Sequence, residues 1–260
     1  MIETLARLGY ASKAFIYVIV GGLAAATALR QGGRVTDTSG ALRVILNQPF
    51  GSFLLILLAV GLCGYAAWRV LDAFRDPEHK GTGAAGLLDR AGNVVRALIY
   101  GGLGVEAFRL VSGTRGSSAG EAELWTARLM DLPFGPWLVG IAGAAIAAYG
   151  VSEVIWSMGS RIHRDLDLAQ LPRSVRTAAT RVSRFGVGAR GVIAAVLGCY
   201  LVRAAVERDP SEAHGTRESL LEIANAVQGR WLLAAIATGL IAYGIDQAMH
   251  ARCRRITPVT

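Results

Sequence analysis

The chain has 260 residues, of which 53% are hydrophobic and 18% charged, and its formal net charge is +8. So apolar a composition, with a mean hydropathy of +0.41, excludes an ordinary soluble domain of this length and indicates a membrane protein. Three isolated cysteines (Cys63, Cys199, Cys253) exclude a disulfide framework, and none of the histidines His79, His163, His214 and His250 lies in the middle of an apolar run, which argues against a haem between spanning helices.

The first uncharged run, Ala14 to Leu29, is short for a bilayer core unless Lys13 and Arg30 extend their stems to the interface. No small-x-small cleavage pattern follows it, so it reads as a span and not as a cleavable signal. The second run, between Arg43 and Arg69, is long enough to span with some tilt. The third, Ala97 to Val105, is broken by Glu106 and Arg109, and the fifth, Gly191 to Val202, by Arg203. Each alone would pass for a buried soluble helix or a re-entrant piece. The fourth, Leu132 to Ser152, and the sixth, Trp231 to Ile245, are clearer spans.

An internal repeat raises the third and fifth runs to the rank of the first. Arg7-Leu8-Gly9 with Lys13, Arg90-Ala91-Gly92 with Arg96, and Arg184-Phe185-Gly186 with Arg190 are three copies of one stretch. A second signature recurs in the even helices, which begin at Gly51, Gly135 and Gly229 and reach Tyr65, Tyr149 and Tyr243 fourteen residues later. Four residues before each tyrosine stands Gly61, Ala145 or Gly239, on the tyrosine's own face of the helix. Small residues there let a neighbouring backbone approach closely, so this face is expected to be a helix–helix seam. Gly140, Ala144 and Ala148 form a similar small face.

The resulting expectation is an all-α polytopic membrane protein. Six transmembrane helices form three tandem parallel hairpins, 1–80, 81–165 and 166–260, about a pseudo-threefold axis. Segments 39–50, 121–134 and 217–228 mix apolar and charged residues at helical spacing and read as short amphipathic helices in the outer loops. Two of them lead into the next span through Pro-Phe-Gly, at Pro49 and Pro133, and proline suits a helix start. Six spans put 17 of the 27 Lys and Arg on the side that holds both termini, while the acidic residues split almost evenly. Both termini are therefore expected in the cytoplasm. A basic face turned toward anionic lipid accounts for the high pI without nucleic-acid binding.

The triple hairpin, the Arg-x-Gly-x-x-x-Lys/Arg starts, Gln48-Pro49-Phe50-Gly51 and the tyrosine-bearing helix ends resemble the bacterial membrane family called domain of unknown function 1206, over about residues 5 to 256. The resemblance implies the fold and a place in the inner membrane of a bacterial cell, and carries no activity to transfer. The third copy departs most, with Ala194 where the others have Tyr17 and Tyr100, and without the Pro-Phe pair.

Ionisable groups inside a span cost about 2.5–3.5 kcal/mol on insertion scales, so each needs a reason. Glu106 breaks the threefold pattern, where the other copies have Leu23 and Tyr200. It reads either as a proton or cation site facing the interior, or as a partner of Arg109 near the interface. Arg69, Glu153 and Asp246 follow Tyr65, Tyr149 and Tyr243 by three or four residues. With the repeated Lys13, Arg96 and Arg190 they either ring a polar vestibule on a central axis or form an interfacial aromatic belt with snorkelling cations. No nucleophile–base pair, metal-ligand spacing, phosphate loop or cofactor motif is present, so an enzyme is the least supported class. The first functional reading is a non-catalytic membrane scaffold whose partners are the bilayer and another membrane protein or a second copy. The alternative is a small-solute or ion transporter or channel with an axial site near Glu106 and Asp246.

Overall fold

The structure, a computed structural model, describes residues 2–29, 35–75, 83–113, 121–159, 172–225 and 229–253. His79, His163, Gln228 and the segments 76–82 and 160–171 lie outside the described residues. Among the described residues the chain is helical, without strands: α1 (Ile2–Ala28), α2 (Thr38–Leu46), α3 (Gly51–Arg75), α4 (Ala84–Val111), α5 (Glu121–Met130), α6 (Gly135–Met158), α7 (Arg173–Glu207), α8 (Thr216–Asn225) and α9 (Gly229–Cys253), with a single 3₁₀ turn at Pro210–Glu212.

Five helices, α1, α3, α6, α7 and α9, are long and apolar enough to cross a membrane. α4 has comparable length, 28 residues, but carries Arg90, Arg96, Glu106 and Arg109. The charges that interrupt the third and fifth apolar runs do not end the helices, because Glu and Arg are good helix formers whatever their hydropathy. α4 continues past Arg109 to Val111 and α7 past Arg203 to Glu207.

The long helices pack in a chain of neighbours, α4 on α3, α3 on α1, α1 on α9, α9 on α7 and α7 on α6. Glycine sets the closest of these approaches. A Cβ on Gly150 would fall 2.6 Å from the Gly191 carbonyl oxygen, and one on Gly198 would fall 2.6 Å from that of Gly143, which seats α6 directly on α7. α4 and α6, the two ends of the series, do not pack along one another among the described residues.

The repeated arginine ties neighbours together. Arg7 donates to the carbonyls of Ala251 and Arg252 at 2.9 and 2.7 Å, in the last turn of α9. Its counterpart Arg184 donates at 3.0 Å to the Gly159 carbonyl, which ends α6. Each guanidinium thus satisfies carbonyls that a helix end leaves unpaired and brings positive charge to the negative end of the dipole. At the opposite end Arg230 donates to the Ala28 carbonyl of α1 at 2.8 Å.

The three expected amphipathic segments are α2, α5 and α8. α2 buries Ala41, Leu42 and Ile45 and is capped by Asp37, whose carboxylate accepts from the Gly40 amide at 2.8 Å. Phe50 and Phe134 hold φ of 62° and 63° in matching turns closed by the Gly51 amide donating to Gln48 and the Gly135 amide to Leu132. Pro49 and Pro133 lie inside these turns, two residues before the helix, and not at the first helical position that their chemistry suggests.

Candidate interior site

The motif Arg-x-Gly-x-x-x-Lys/Arg places its second cation one turn beyond its glycine, on the same helix face. In α1 this turns Lys13 inward, where it is 4% exposed. Its ammonium lies 4.7 Å from the centre of the Tyr65 ring, 4.6 Å from that of Tyr100 and 5.5 Å from that of Tyr10. The Tyr65 hydroxyl accepts from it at 3.4 Å. A cation so desolvated is held by ring quadrupoles that no water competes for, each worth about 0.5–2 kcal/mol.

Arg69 lies one turn beyond Tyr65 and is buried with it. It donates to the Tyr65 hydroxyl at 2.9 Å, the Tyr10 hydroxyl at 3.0 Å, Asp72 at 3.0 Å and the Asn93 carbonyl at 3.1 Å. Asn93 returns a bond from its amide to Asp72 at 3.0 Å, so α3 and α4 share a closed polar ring. Arg96 donates to the same Asn93 side-chain carbonyl at 3.0 Å, and its guanidinium lies near the Tyr149 hydroxyl on α6. Tyr149 donates to Glu153, and Arg190 of α7 donates to the Tyr149 hydroxyl at 3.0 Å and to Glu153 at 2.6 Å. Arg190 also faces the Tyr243 ring at 5.3 Å, Tyr243 meets Tyr17 edge-on at 4.7 Å, and the Tyr17 and Tyr100 hydroxyls lie 3.5 Å apart.

One continuous network therefore joins α1, α3, α4, α6, α7 and α9. Among the described residues it holds four cations, Lys13, Arg69, Arg96 and Arg190, against two carboxylates, Asp72 and Glu153. Asp246 borders it on α9, with the imidazole of His250 at 3.4 Å and the Gln247 amide donating at 3.0 Å. His250 in turn stacks on Tyr10 with ring centres 5.5 Å apart. One oxygen of Asp246 and the carbonyl oxygen of Gln247 are buried with no hydrogen-bond partner among the described residues.

Of the residues expected to form a site, Arg69, Tyr65, Tyr149, Tyr243 and Glu153 come together with Lys13, Arg96 and Arg190. Lys13, Tyr65, Arg69 and Tyr243 are buried in the bundle, and Arg96, Tyr149, Glu153 and Arg190 are partly buried. Asp246 borders them. Glu106 stands apart: its carboxylate accepts from Ser39 of α2 at 2.7 Å, about 15 Å along α4 from Arg96. Glu106 and Asp246 accordingly do not share one site. Among the repeat-defining glycines, Gly9 abuts Tyr65 and Gly186 abuts Tyr243, whereas Gly92 meets no neighbouring helix.

Sequence reading missed Tyr10, Asp72 and Asn93. The signal was there, since Tyr10 and Asn93 precede Lys13 and Arg96 by three residues and Asp72 follows Arg69 by three, which puts each on its partner's face.

The chain is 31% identical over 256 residues to Uncharacterized protein YxxB of Bacillus subtilis (strain 168), across 98% of this chain and 92% of that protein. No solved structure matches it. The model of the family described as Domain of Unknown Function (DUF1206) matches at residues 8–76, 91–158 and 185–254, so the chain belongs to that family and carries its unit three times.

Proposed function

We propose that the protein is a six-span integral membrane protein whose three hairpins surround a pseudo-threefold axis, and that it carries or conducts a small anion through a cation-rich interior site. The observation that carries this reading is the charge imbalance of the largely buried network, four cations to two carboxylates among the described residues, with Asp246 at its edge as a third. An unbalanced positive charge within a bilayer is costly and calls for a partner, and a low-dielectric wall focuses its attraction on a mobile anion. Lys13, Arg96 and Arg190 occupy one position of the repeat, so they approach the axis from three sides.

Membrane placement is supported by aromatic residues at matching positions. Phe53, Trp137 and Trp231 begin α3, α6 and α9 and are exposed, and Phe74 and Trp156 are exposed near the far ends of α3 and α6. From Trp137 to Trp156 is about 28 Å along the helix, close to the hydrocarbon thickness of a bilayer. α4 is the sixth span in this reading, supported by its packing on α3. With six spans and the basic residues as distributed, both ends lie in the cytoplasm. Reporter tags on the two ends should then both be shielded from an external protease in intact cells. Opposite exposure of the two tags removes the topology.

In phosphatidylcholine nanodiscs the protein should bind inorganic phosphate saturably, and Arg190→Gln should weaken that binding about tenfold, the equivalent of one charge-assisted hydrogen bond. Phosphate affinity unaffected by this substitution, or no phosphate binding by the wild type, ends the proposal.

A scaffold role has one specific observation in its favour: Trp137, Ile141, Ala144 and Ala148 of α6 are exposed, an apolar face whose two alanines suit the close approach of another membrane helix. It ranks second because a scaffold gives no reason for a charged interior. Recovery of monomer alone after crosslinking in native membranes counts against it.

A further inference from the structure

The three copies allow one helix seam to be compared with itself. In the first hairpin Gly9 of α1 lies against Tyr65 of α3, and Gly61 lies against Ser12. In the third, Gly186 of α7 lies against Tyr243 of α9, and Gly239 against Ala189. The corresponding seam of the second hairpin, between α4 and α6, is open among the described residues. Ile16 and Ile193 are sealed in their seams at 1% and 6% exposure, and Ile99, at the same repeat position, is 54% exposed.

The cause is written in the side chains. A Cβ on Gly61 would fall 2.2 Å from the Ser12 hydroxyl, and one on Gly239 would fall 2.1 Å from the Ala189 Cβ. The second hairpin carries just such a Cβ, on Ala145, and faces it with the branched Val95 in place of Ser12 or Ala189. The two helices cannot close as their counterparts do. Beside this block, Leu58 and Ile236, both buried, are replaced by the small, exposed Ala142. Among the described residues this leaves an alkyl-walled slot between α4 and α6, lined by the exposed Val95, Ile99 and Ala142, with the Arg96 guanidinium near the Tyr149 hydroxyl. Behind Tyr149 stands Arg190.

We infer that this slot admits and holds an anionic lipid from the bilayer, its phosphate at Arg96 and Arg190 and its chain along Ile99 and Ala142. The inference rests on the interior anion site proposed above and names the class of ligand that reaches it from the side. Alkyl walls match an acyl chain, and two guanidiniums, of which only Arg190 is paired with a carboxylate, Glu153, match a phosphate monoester better than a zwitterionic headgroup, whose choline would meet like charge. The two sealed seams show that the repeat closes readily where its residues allow it, so a third seam blocked by Val95 and Ala145 is a difference the chain encodes.

The test uses the full chain in phosphatidylcholine nanodiscs that contain a small fraction of phosphatidic acid with a diazirine in its acyl chain, or phosphatidylcholine bearing the same group. Phosphatidic acid should label Ile99 and the start of the Ala142 turn about tenfold more than the zwitterionic probe. Gly92→Leu should remove most of that labelling, since its side chain would enter the slot beside Arg96, the single neighbour near a Cβ placed there, at 3.7 Å. Ala142→Leu fills the slot from the opposite wall and serves if Gly92→Leu folds poorly. Equal labelling by the two probes overturns the lipid slot, as does labelling that survives both substitutions. Phosphate binding that Arg190→Gln weakens, together with no enrichment of phosphatidic acid, overturns the slot and leaves the interior anion site standing. Loss of both overturns both.

Discussion

Gly186→Ala is expected to destabilise the protein by about 1–3 kcal/mol or more, while the same substitution at Gly92 should be neutral or stabilise it by up to about 1 kcal/mol. The two glycines occupy one position of the repeat. A Cβ on Gly186 would fall 2.3 Å from the Tyr243 backbone nitrogen, an atom that cannot move unless α9 moves with it. Gly9 is similarly confined, at 2.2 Å from the Tyr65 Cβ and 2.9 Å from the Gly61 carbonyl oxygen. Gly92 would meet nothing but the end of the flexible Arg96 side chain, so alanine there gains helix propensity without a clash. Unfolding midpoints of the three single alanine variants in one detergent would decide it. Equal losses at Gly92 and Gly186 would show that α4 and α6 close like the other pairs, and would remove the slot between them.

Arg69→Ala should be the most damaging single substitution of a charged residue, at about 3–5 kcal/mol, because it leaves Asp72 buried without its cation. Four acceptors depend on this guanidinium, namely Asp72, Asn93 and the hydroxyls of Tyr10 and Tyr65, and they come from α1, α3 and α4. Losing it therefore loosens three helices at once. The double variant Arg69→Met with Asp72→Leu should recover much of the loss, since apolar side chains of similar volume leave no ion unpaired. A double-mutant cycle read by denaturant unfolding measures the coupling directly. Additive losses would mean that the two side chains are held independently, and the network described around them would not be a unit.

Much of the architecture was legible in the residues. Helix length, the recurrence of the Gly and Tyr signatures, and the amphipathic segments α2, α5 and α8 are properties of neighbouring residues in one stretch of chain, and periodicity reports them directly. The hydropathy runs understated α4 and α7, since a single charge lowers an average without bending a backbone. The inward cations were legible as a repeat, and their companions Asp72 and Asn93 could have been found by asking which residues share a helix face with them.

The sequence by itself determined that one unit is present three times, that its helices are long and mostly apolar, and that Lys13, Arg96 and Arg190 occupy equivalent places, because these follow from spacing along the chain. Only the tertiary structure decided that Arg69 joins Asp72 to Asn93, that Glu106 meets Ser39 and not the tyrosine cluster, and that one seam of three stays open among the described residues. The physical reason lies in pairwise packing. Val95 and Ala145 are unremarkable alone, and their effect exists only where two helices fifty residues apart in the chain would have to approach within a Cβ of each other.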